Sequence, residues 1–140
     1  MSLVFASWAL AILGLLTPQG AAPTGTASLD YGVFKSKIEP IFVAKRPGHA
    51  RCVSCHTTAS AFRLQPLDKG ATTWTEEESR KNFEAVKRVA IPGNARSRIL
   101  VHPLAEDAGG DFFHNGGKHW QSQNDPEWRT LNAWIMGSSR

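Results

Sequence analysis

Apolar residues spaced three and four positions apart predict the first helix of the chain. They are Tyr31, Phe34, Ile38, Ile41 and Phe42, and this spacing places them on one face of an α-helix. Pro40 lies inside the run. Because proline lacks a backbone N–H and its ring crowds the preceding turn, we expect a kink or break after Glu39.

A second helix is predicted to begin at Thr75, because Thr75 and Glu78 have the spacing of a capping box. Acidic residues fill its first turn, and Lys87 and Arg88 fall in its last turn, as the helix dipole favours. The Pro-Gly pair at 92–93 is expected to end this helix.

The C-terminal part of the chain predicts a short turn of helix over 97–101, a loop over 103–119 and a final helix. The final helix is expected to begin at Asn124 or Asp125 and to end at Gly137. Its apolar face consists of Trp128, Leu131, Trp134 and Ile135. No segment shows the alternation typical of a strand, so the predicted fold class is all-α.

The N-terminus has the features of an export signal. Residues 3–16 form an uncharged apolar run, which is followed by a Pro-Gly-containing break and by small residues. The run is shorter than the roughly 20 residues that cross a membrane as a helix. We therefore assign residues 1–27 to a signal peptide or N-terminal anchor and residues 28–140 to one domain. This predicts a periplasmic or other extracytoplasmic location, with membrane association only through the N-terminus.

Composition and charge narrow the classes of partner. The chain has 140 residues, of which 41% are hydrophobic and 20% are charged, with a formal net charge of +4. A moderately basic surface favours an acidic partner or an anionic membrane face. No nucleic-acid-binding motif is present, and we expect no nucleic-acid partner.

The two cysteines of the chain carry its most specific motif. Residues 52–56 are Cys52-Val-Ser-Cys55-His56, and Cys-x-x-Cys-His is the attachment motif for c-type haem. Two thiols at this spacing reach the two vinyl groups on one porphyrin edge within a single tight turn, and the adjacent imidazole is a good axial iron ligand. The sequence therefore predicts one covalent haem c, with His56 as the proximal iron ligand.

Two other interpretations of the cysteine pair stay open. A Cys-x-x-Cys pair can form a redox-active disulfide, usually at a strand–helix junction of an α/β fold. It can also supply half of a zinc site, which needs two further Cys or His ligands at suitable spacing. The chain contains no second cysteine pair and no β-α-β pattern around the first, so haem attachment is favoured over both.

With these features, the chain resembles a class I-type monohaem cytochrome c, especially the cytochrome-c-like domains of acidobacterial and planctomycete type. The resemblance covers roughly residues 30–137 and includes an N-terminal helix with Tyr31, the haem motif, a helix running to the Pro-Gly pair, and a C-terminal helix with Trp134-Ile135. It implies an all-α cytochrome-c-like fold around one covalent haem, in which the first and last helices cross.

The sixth iron ligand is where the chain differs from the family. Many class I proteins supply a methionine from the loop before the last helix, and this chain has no methionine there. The loop at this place has the sequence His114-Asn-Gly-Gly, and we expect His56/His114 ligation, with the glycines allowing close approach of the backbone to the porphyrin. His102, His119 and Met136 remain alternative ligands. An open sixth position is the further alternative.

The predicted function is electron transfer by a haem that cycles between Fe(III) and Fe(II), as a carrier or subunit and not as an enzyme. The predicted partners are redox proteins, including a membrane-bound electron-transfer complex. The rivals are a haem enzyme or gas sensor with an open distal site, and a thiol oxidoreductase. Lys45, Arg46 and Arg51 precede the motif, and they either ring the haem edge and steer an acidic partner or belong to a solvated loop.

Overall fold

The fold was analysed in a computed structural model, which describes residues 28–58 and 62–138. The predicted export signal, residues 1–27, lies outside the described residues. The elements in chain order are α1 (Tyr31–Val33), a π-helical turn (Phe34–Ile38), α2 (Glu39–Val43), α3 (Cys52–His56), α4 (Glu76–Val86), α5 (Arg98–Val101), a 3₁₀ turn (Glu106–Ala108) and α6 (Pro126–Ile135). The described residues contain no strand, and the prediction of an all-α domain is confirmed.

The first three elements follow one another directly, so the chain is helical from α1 through α2. Asp30 caps the start, where its side chain accepts a hydrogen bond from the backbone N–H of Val33 at 2.7 Å. The expected break after Glu39 is wrong, because Glu39 and Pro40 both lie in α2. The irregularity is the wider π-helical turn just before Pro40, a change in winding that accommodates a residue without an N–H.

Helix α4 begins as predicted and ends earlier. Thr75 and Glu78 form a reciprocal capping box, which confirms the predicted start. The helix stops at Val86, and the predicted last turn is replaced by tighter turns, in which the N–H groups of Val89 and Ala90 both donate to the Val86 carbonyl at 2.9 Å. The segment beyond is tied to other elements. Ile99 donates its N–H to the Val89 carbonyl at 3.2 Å, and Gly93 donates to the Ile135 carbonyl at 2.8 Å.

The C-terminal elements agree with the sequence-based expectations. Ser97 precedes α5, and Asp125 caps α6 by accepting from the N–H groups of Glu127 and Trp128. Gly137 follows α6 with a φ of 72°, the left-handed conformation that commonly ends a helix at glycine. The loop before α6 runs beside α5, where Leu104 and Trp120 form an isolated bridge.

The first and last helices pack together in the core. The Phe34 and Trp134 rings lie 5.8 Å apart between centroids, and Phe83 from α4 lies 5.2 Å from Phe34. The Trp134 indole N–H donates to the Asp30 carbonyl at 2.9 Å, which ties α6 to the beginning of α1. This core fixes one side of the domain, while α3, α5 and the loop before α6 surround a cleft on the other side.

None of the helices that the structure describes has both the length and the apolar character needed to cross a membrane. Four tryptophans of the described residues are buried: Trp74, Trp120, Trp128 and Trp134. Phe112 and Phe113 are instead 80% and 56% exposed. Most of the aromatic side chains thus supply the core, and this Phe pair projects from the loop before α6.

Candidate functional site

The cysteine motif forms a helix of its own. Arg51 has extended backbone, and α3 then turns once through Cys52, Cys55 and His56. Cys52 is half-buried and Cys55 is exposed, and both are free thiols. A single helical turn places residues three and four apart on the same face. The fold therefore presents both sulfur atoms and the His56 imidazole from one short element.

This element forms one wall of a large cleft. The cleft has an empty volume of about 1200 Å³, part of which is open to solvent. Its apolar lining includes Ile41, Phe42, Phe62, Val89, Ile99 and Trp120. Both cysteines line it, as do the imidazoles of His56, His102, His114 and His119. A mainly apolar cleft with a few convergent polar groups is the usual form of a cofactor site.

The His56 ring is held in one orientation by its surroundings. It stacks on Phe62 with 4.2 Å between centroids, and its Nδ1 lies 3.4 Å from the Phe62 carbonyl oxygen. Since a carbonyl can only accept, this contact places the ring proton on Nδ1 and the metal-binding lone pair on Nε2. Burial lowers the pKa of His56, and the hydrogen bond to Phe62 partly opposes that effect. Burial thus favours a neutral imidazole, the form that binds metal.

A tight turn orients the His114 ring in the same way. Its Nδ1 lies 2.6 Å from the Gly117 carbonyl oxygen, and the Gly117 N–H donates to the His114 carbonyl at 2.9 Å. Gly117 has a φ of 78°, which few other residues adopt. A Cβ on Gly116 would lie 3.1 Å from His114 Cε1. The two glycines thus serve the turn that holds the His114 ring.

The structure brings the two predicted ligands close together. The rings of His56 and His114 are 6.3 Å apart between centroids, and their planes differ by 19°. His56 ends α3, whereas His114 comes from the loop before α6. The two imidazoles therefore approach the cleft from different elements, with each Nδ1 directed at a backbone carbonyl.

Two further imidazoles lie next to His114. The His119 ring is 5.7 Å from that of His114 and 4.8 Å from that of His49. The pKa of His119 falls to about 4, chiefly because of burial and also because of the positive charge of Arg46. The Nδ1 atom of His119 is buried and has no hydrogen-bond partner among the described residues. The His49–His119 pair was not predicted, because nothing in the sequence brings the two segments together.

His102 lies in the cleft wall with both ring nitrogens engaged. Its Nδ1 bonds to the Asp111 carboxylate, and its Nε2 accepts a hydrogen bond of 2.8 Å from Arg98 Nε. An imidazole nitrogen that accepts from an arginine has no lone pair left for a metal ion. The contacts of His102 therefore suit a structural role better than binding of the iron.

Met136 is remote from the other candidate ligands. It caps the end of α6 and is 42% exposed, and it does not belong to the cleft lining given for the described residues. Within residues 28–58 and 62–138, no group of three or more His, Cys, Asp or Glu side chains is arranged to hold a metal ion.

Arg46 has a role that the sequence did not reveal. The solvated-loop alternative is wrong for Arg46, because its side chain is only 11% exposed and forms an ion pair with Glu127. Its guanidinium also donates to the Ile41 carbonyl at 2.9 Å. Only the packing of α6 against the loop after α2 makes this pair possible.

Comparison with known proteins gives no relatives: no family model matches the sequence, and no curated protein or solved structure matches it significantly. The functional argument therefore depends on the motif and on the geometry of the cleft.

Proposed function

We propose that this protein is an electron-transfer protein of the c-type cytochrome class. Cys52 and Cys55 would hold one haem covalently, and His56 and His114 would be its two axial ligands. The observation that carries the proposal is the 6.3 Å separation of the His56 and His114 rings in the cleft that both thiols line.

The spacing of the two rings supports shared ligation. Metal–imidazole bonds are about 2.0–2.1 Å long, so two imidazoles that bind one ion from opposite sides have centroids roughly 6 Å apart. The distance between the centroids of His56 and His114 is 6.3 Å. The remaining iron ligands are porphyrin nitrogens, so a site of this type does not need a third protein side chain.

The hydrogen bonds of the two rings support the same assignment. Metal-ligating histidines usually donate their other ring N–H to a carbonyl or carboxylate, which fixes the tautomer. His56 and His114 each have a backbone carbonyl at Nδ1, from Phe62 and Gly117. By contrast, His102 uses both ring nitrogens within the protein.

The chemistry that follows is one-electron transfer. When bound, the haem supplies an iron that alternates between Fe(III) and Fe(II). His56 and His114 would keep both axial positions filled and so exclude substrate, and the apolar cleft would exclude water from most of the porphyrin. Arg51 and Arg98 line the cleft, and its lining contains no Asp or Glu. A partner with an acidic docking face is therefore expected, because complementary charge accelerates encounter.

The proposal is tested with protein matured in cells that attach c-type haem. We expect haem staining to persist on a denaturing gel, a low-spin six-coordinate spectrum in both oxidation states, and no rapid binding of carbon monoxide to the reduced form. The variant with Cys52→Ser and Cys55→Ser serves as control and should lose covalent haem. A high-spin spectrum with fast carbon monoxide binding would favour a haem enzyme or gas sensor. Absence of covalent haem, with a reversible Cys52–Cys55 disulfide, would favour a thiol oxidoreductase.

A further inference from the structure

Arg46 is held rigidly between the first helix and the last. Its Nε donates to Glu127 Oε2 at 2.6 Å, and its Nη2 donates to the Ile41 carbonyl at 2.9 Å. Its Nη1 lies 3.5 Å from the Ala44 carbonyl oxygen. A guanidinium is a planar fork, so bonds on three nitrogens fix both its position and its orientation.

This fixed cation lies beside the first cysteine of the motif. Arg46 Nη1 is 3.9 Å from Cys52 Sγ, and Cys52 Sγ is 4.0 Å from the Ile41 carbonyl oxygen. Burial raises the pKa of the Cys52 thiol, and the charge of Arg46 opposes that effect. Cys55, by contrast, is exposed. The two thiols of the motif therefore have different surroundings.

Trp120 contacts both members of this ion pair and also lines the cleft. The Arg46 guanidinium lies 6.0 Å from the centroid of the Trp120 ring, and Trp120 lines the cleft. The Trp120 indole N–H donates to Glu127 Oε2 at 3.2 Å. One carboxylate thus joins the arginine, the cleft wall and α6. Because Arg46 is only 11% exposed, its charge is screened less by water than a surface charge is.

We propose that Arg46 is a positioning residue for haem attachment at Cys52, and that the Arg46–Glu127 pair tunes the reduction potential of the attached haem. This inference rests on the proposed function. In the attachment step, the Cys52 S–H adds across a vinyl C=C bond of the haem. A C–S bond forms, the hydrogen goes to the other vinyl carbon, and no electrons are gained or lost overall.

The attachment role is tested by comparing three single variants. Arg46→Met keeps much of the side-chain length without the charge, and we expect a several-fold drop in the fraction of protein linked through Cys52, measured by mass spectrometry of haem peptides. Arg46→Lys should restore part of that fraction. Lys45→Met is the matched control, because Lys45 adjoins Arg46 in sequence but is exposed. Equal Cys52 linkage in all variants would overturn the attachment role.

The electrostatic role is tested by the sign of two potential shifts. A positive charge near the haem disfavours Fe(III), so Arg46→Met should lower the reduction potential and Glu127→Gln should raise it. Simple loosening of the fold would admit water and move both potentials in the same direction. Circular dichroism checks that both variants remain helical, and Glu127→Gln by itself tests the sign if Arg46→Met does not fold.

The outcomes separate this inference from the proposed function. Wild-type protein without covalent haem would overturn both. Wild-type protein that carries a low-spin haem, with potentials that do not move or that move together in the two variants, would overturn only the electrostatic role of the Arg46–Glu127 pair. Opposite shifts would support it.

Discussion

The imidazoles of His56 and His114 lie 6.3 Å apart between centroids, with their planes 19° from parallel. Each is oriented by a hydrogen bond between its Nδ1 and a backbone carbonyl, that of Phe62 for His56 and that of Gly117 for His114. Both rings therefore have a defined tautomer and direction within the protein itself. This arrangement leads directly to the first prediction.

Replacement of His114 should change the coordination of the haem. In His114→Ala we expect loss of the low-spin six-coordinate spectrum and fast binding of carbon monoxide to the reduced protein, because one axial ligand is removed. The matched control is His102→Ala, since His102 bonds to Asp111 and Arg98 and should leave the spectrum unchanged. The measurement is the visible spectrum of both variants in both oxidation states.

The alternative ligands give distinct outcomes in the same experiment. An unchanged spectrum in His114→Ala, together with a high-spin spectrum in His119→Ala, would transfer the ligand assignment to His119. Met136→Leu should have no effect, because Met136 is exposed at the end of α6. A Met–iron charge-transfer band in the wild-type protein would contradict His114 ligation.

A buried carboxyl group makes stability depend on pH. Glu39 is 5% exposed, and burial raises its pKa. A 3.0 Å hydrogen bond from Ser79 and the charge of Lys35 lower this pKa, and the charge of Glu76 raises it further. Because the folded-state pKa lies above the unfolded one, the stabilisation is present at low pH and is lost as the pH rises through the folded pKa.

Glu39→Gln should therefore gain stability relative to wild type as the pH rises from about 3 to about 7, on either side of the ordinary Glu pKa. Urea unfolding at the two pH values measures the change. Glu84→Gln is the control, because Glu84 is 63% exposed and pairs only with Lys87 at the surface. If Glu39→Gln is destabilised more at pH 7 than at pH 3, the Glu39 carboxylate is stabilised in the fold and the prediction is wrong.

The capping box of α4 should contribute measurably to stability. Thr75 accepts a hydrogen bond from the Glu78 N–H, and Glu78 accepts one from the Thr75 N–H at 2.9 Å. Loss of an N-cap hydroxyl costs about 1 kcal/mol, so Thr75→Ala should lower the free energy of unfolding by about that amount. Thr75→Ser keeps the hydroxyl and should stay close to wild type. Equal stability of the Ala and Ser variants would show that the box contributes little.

The core and the exposed Phe pair should respond very differently to truncation. Leu131 is fully buried on α6, and a buried Leu→Ala change costs about 2–5 kcal/mol. Phe112 is 80% exposed, so Phe112→Ala should change the free energy of unfolding by no more than about 0.5 kcal/mol. Chemical denaturation of both variants checks this, and a large loss in Phe112→Ala would mean that the pair packs against something in solution.

The local elements were predictable because their signals lie within a few residues. The Thr75–Glu78 capping box, the Asp125 cap with Pro126, and Gly137 as the end of α6 are all read from short spacings, and the structure has each of them. The end of α4 was not predictable in this way. The chain passes from Val86 into tighter turns, and the segment beyond is tied to Val89 and Ile135 by hydrogen bonds from Ile99 and Gly93 that form only in the folded chain.

The sequence by itself determined the Cys-x-x-Cys-His motif, the all-α class and the candidate ligands, because this motif and helix periodicity both depend on short fixed spacings. Only the tertiary structure decided which histidines share the cleft with the cysteines and how each ring is held. It alone also placed the Arg46–Glu127 pair beside Cys52. Such contacts join residues far apart in the chain, and they are set by packing of the helices, which no local pattern encodes.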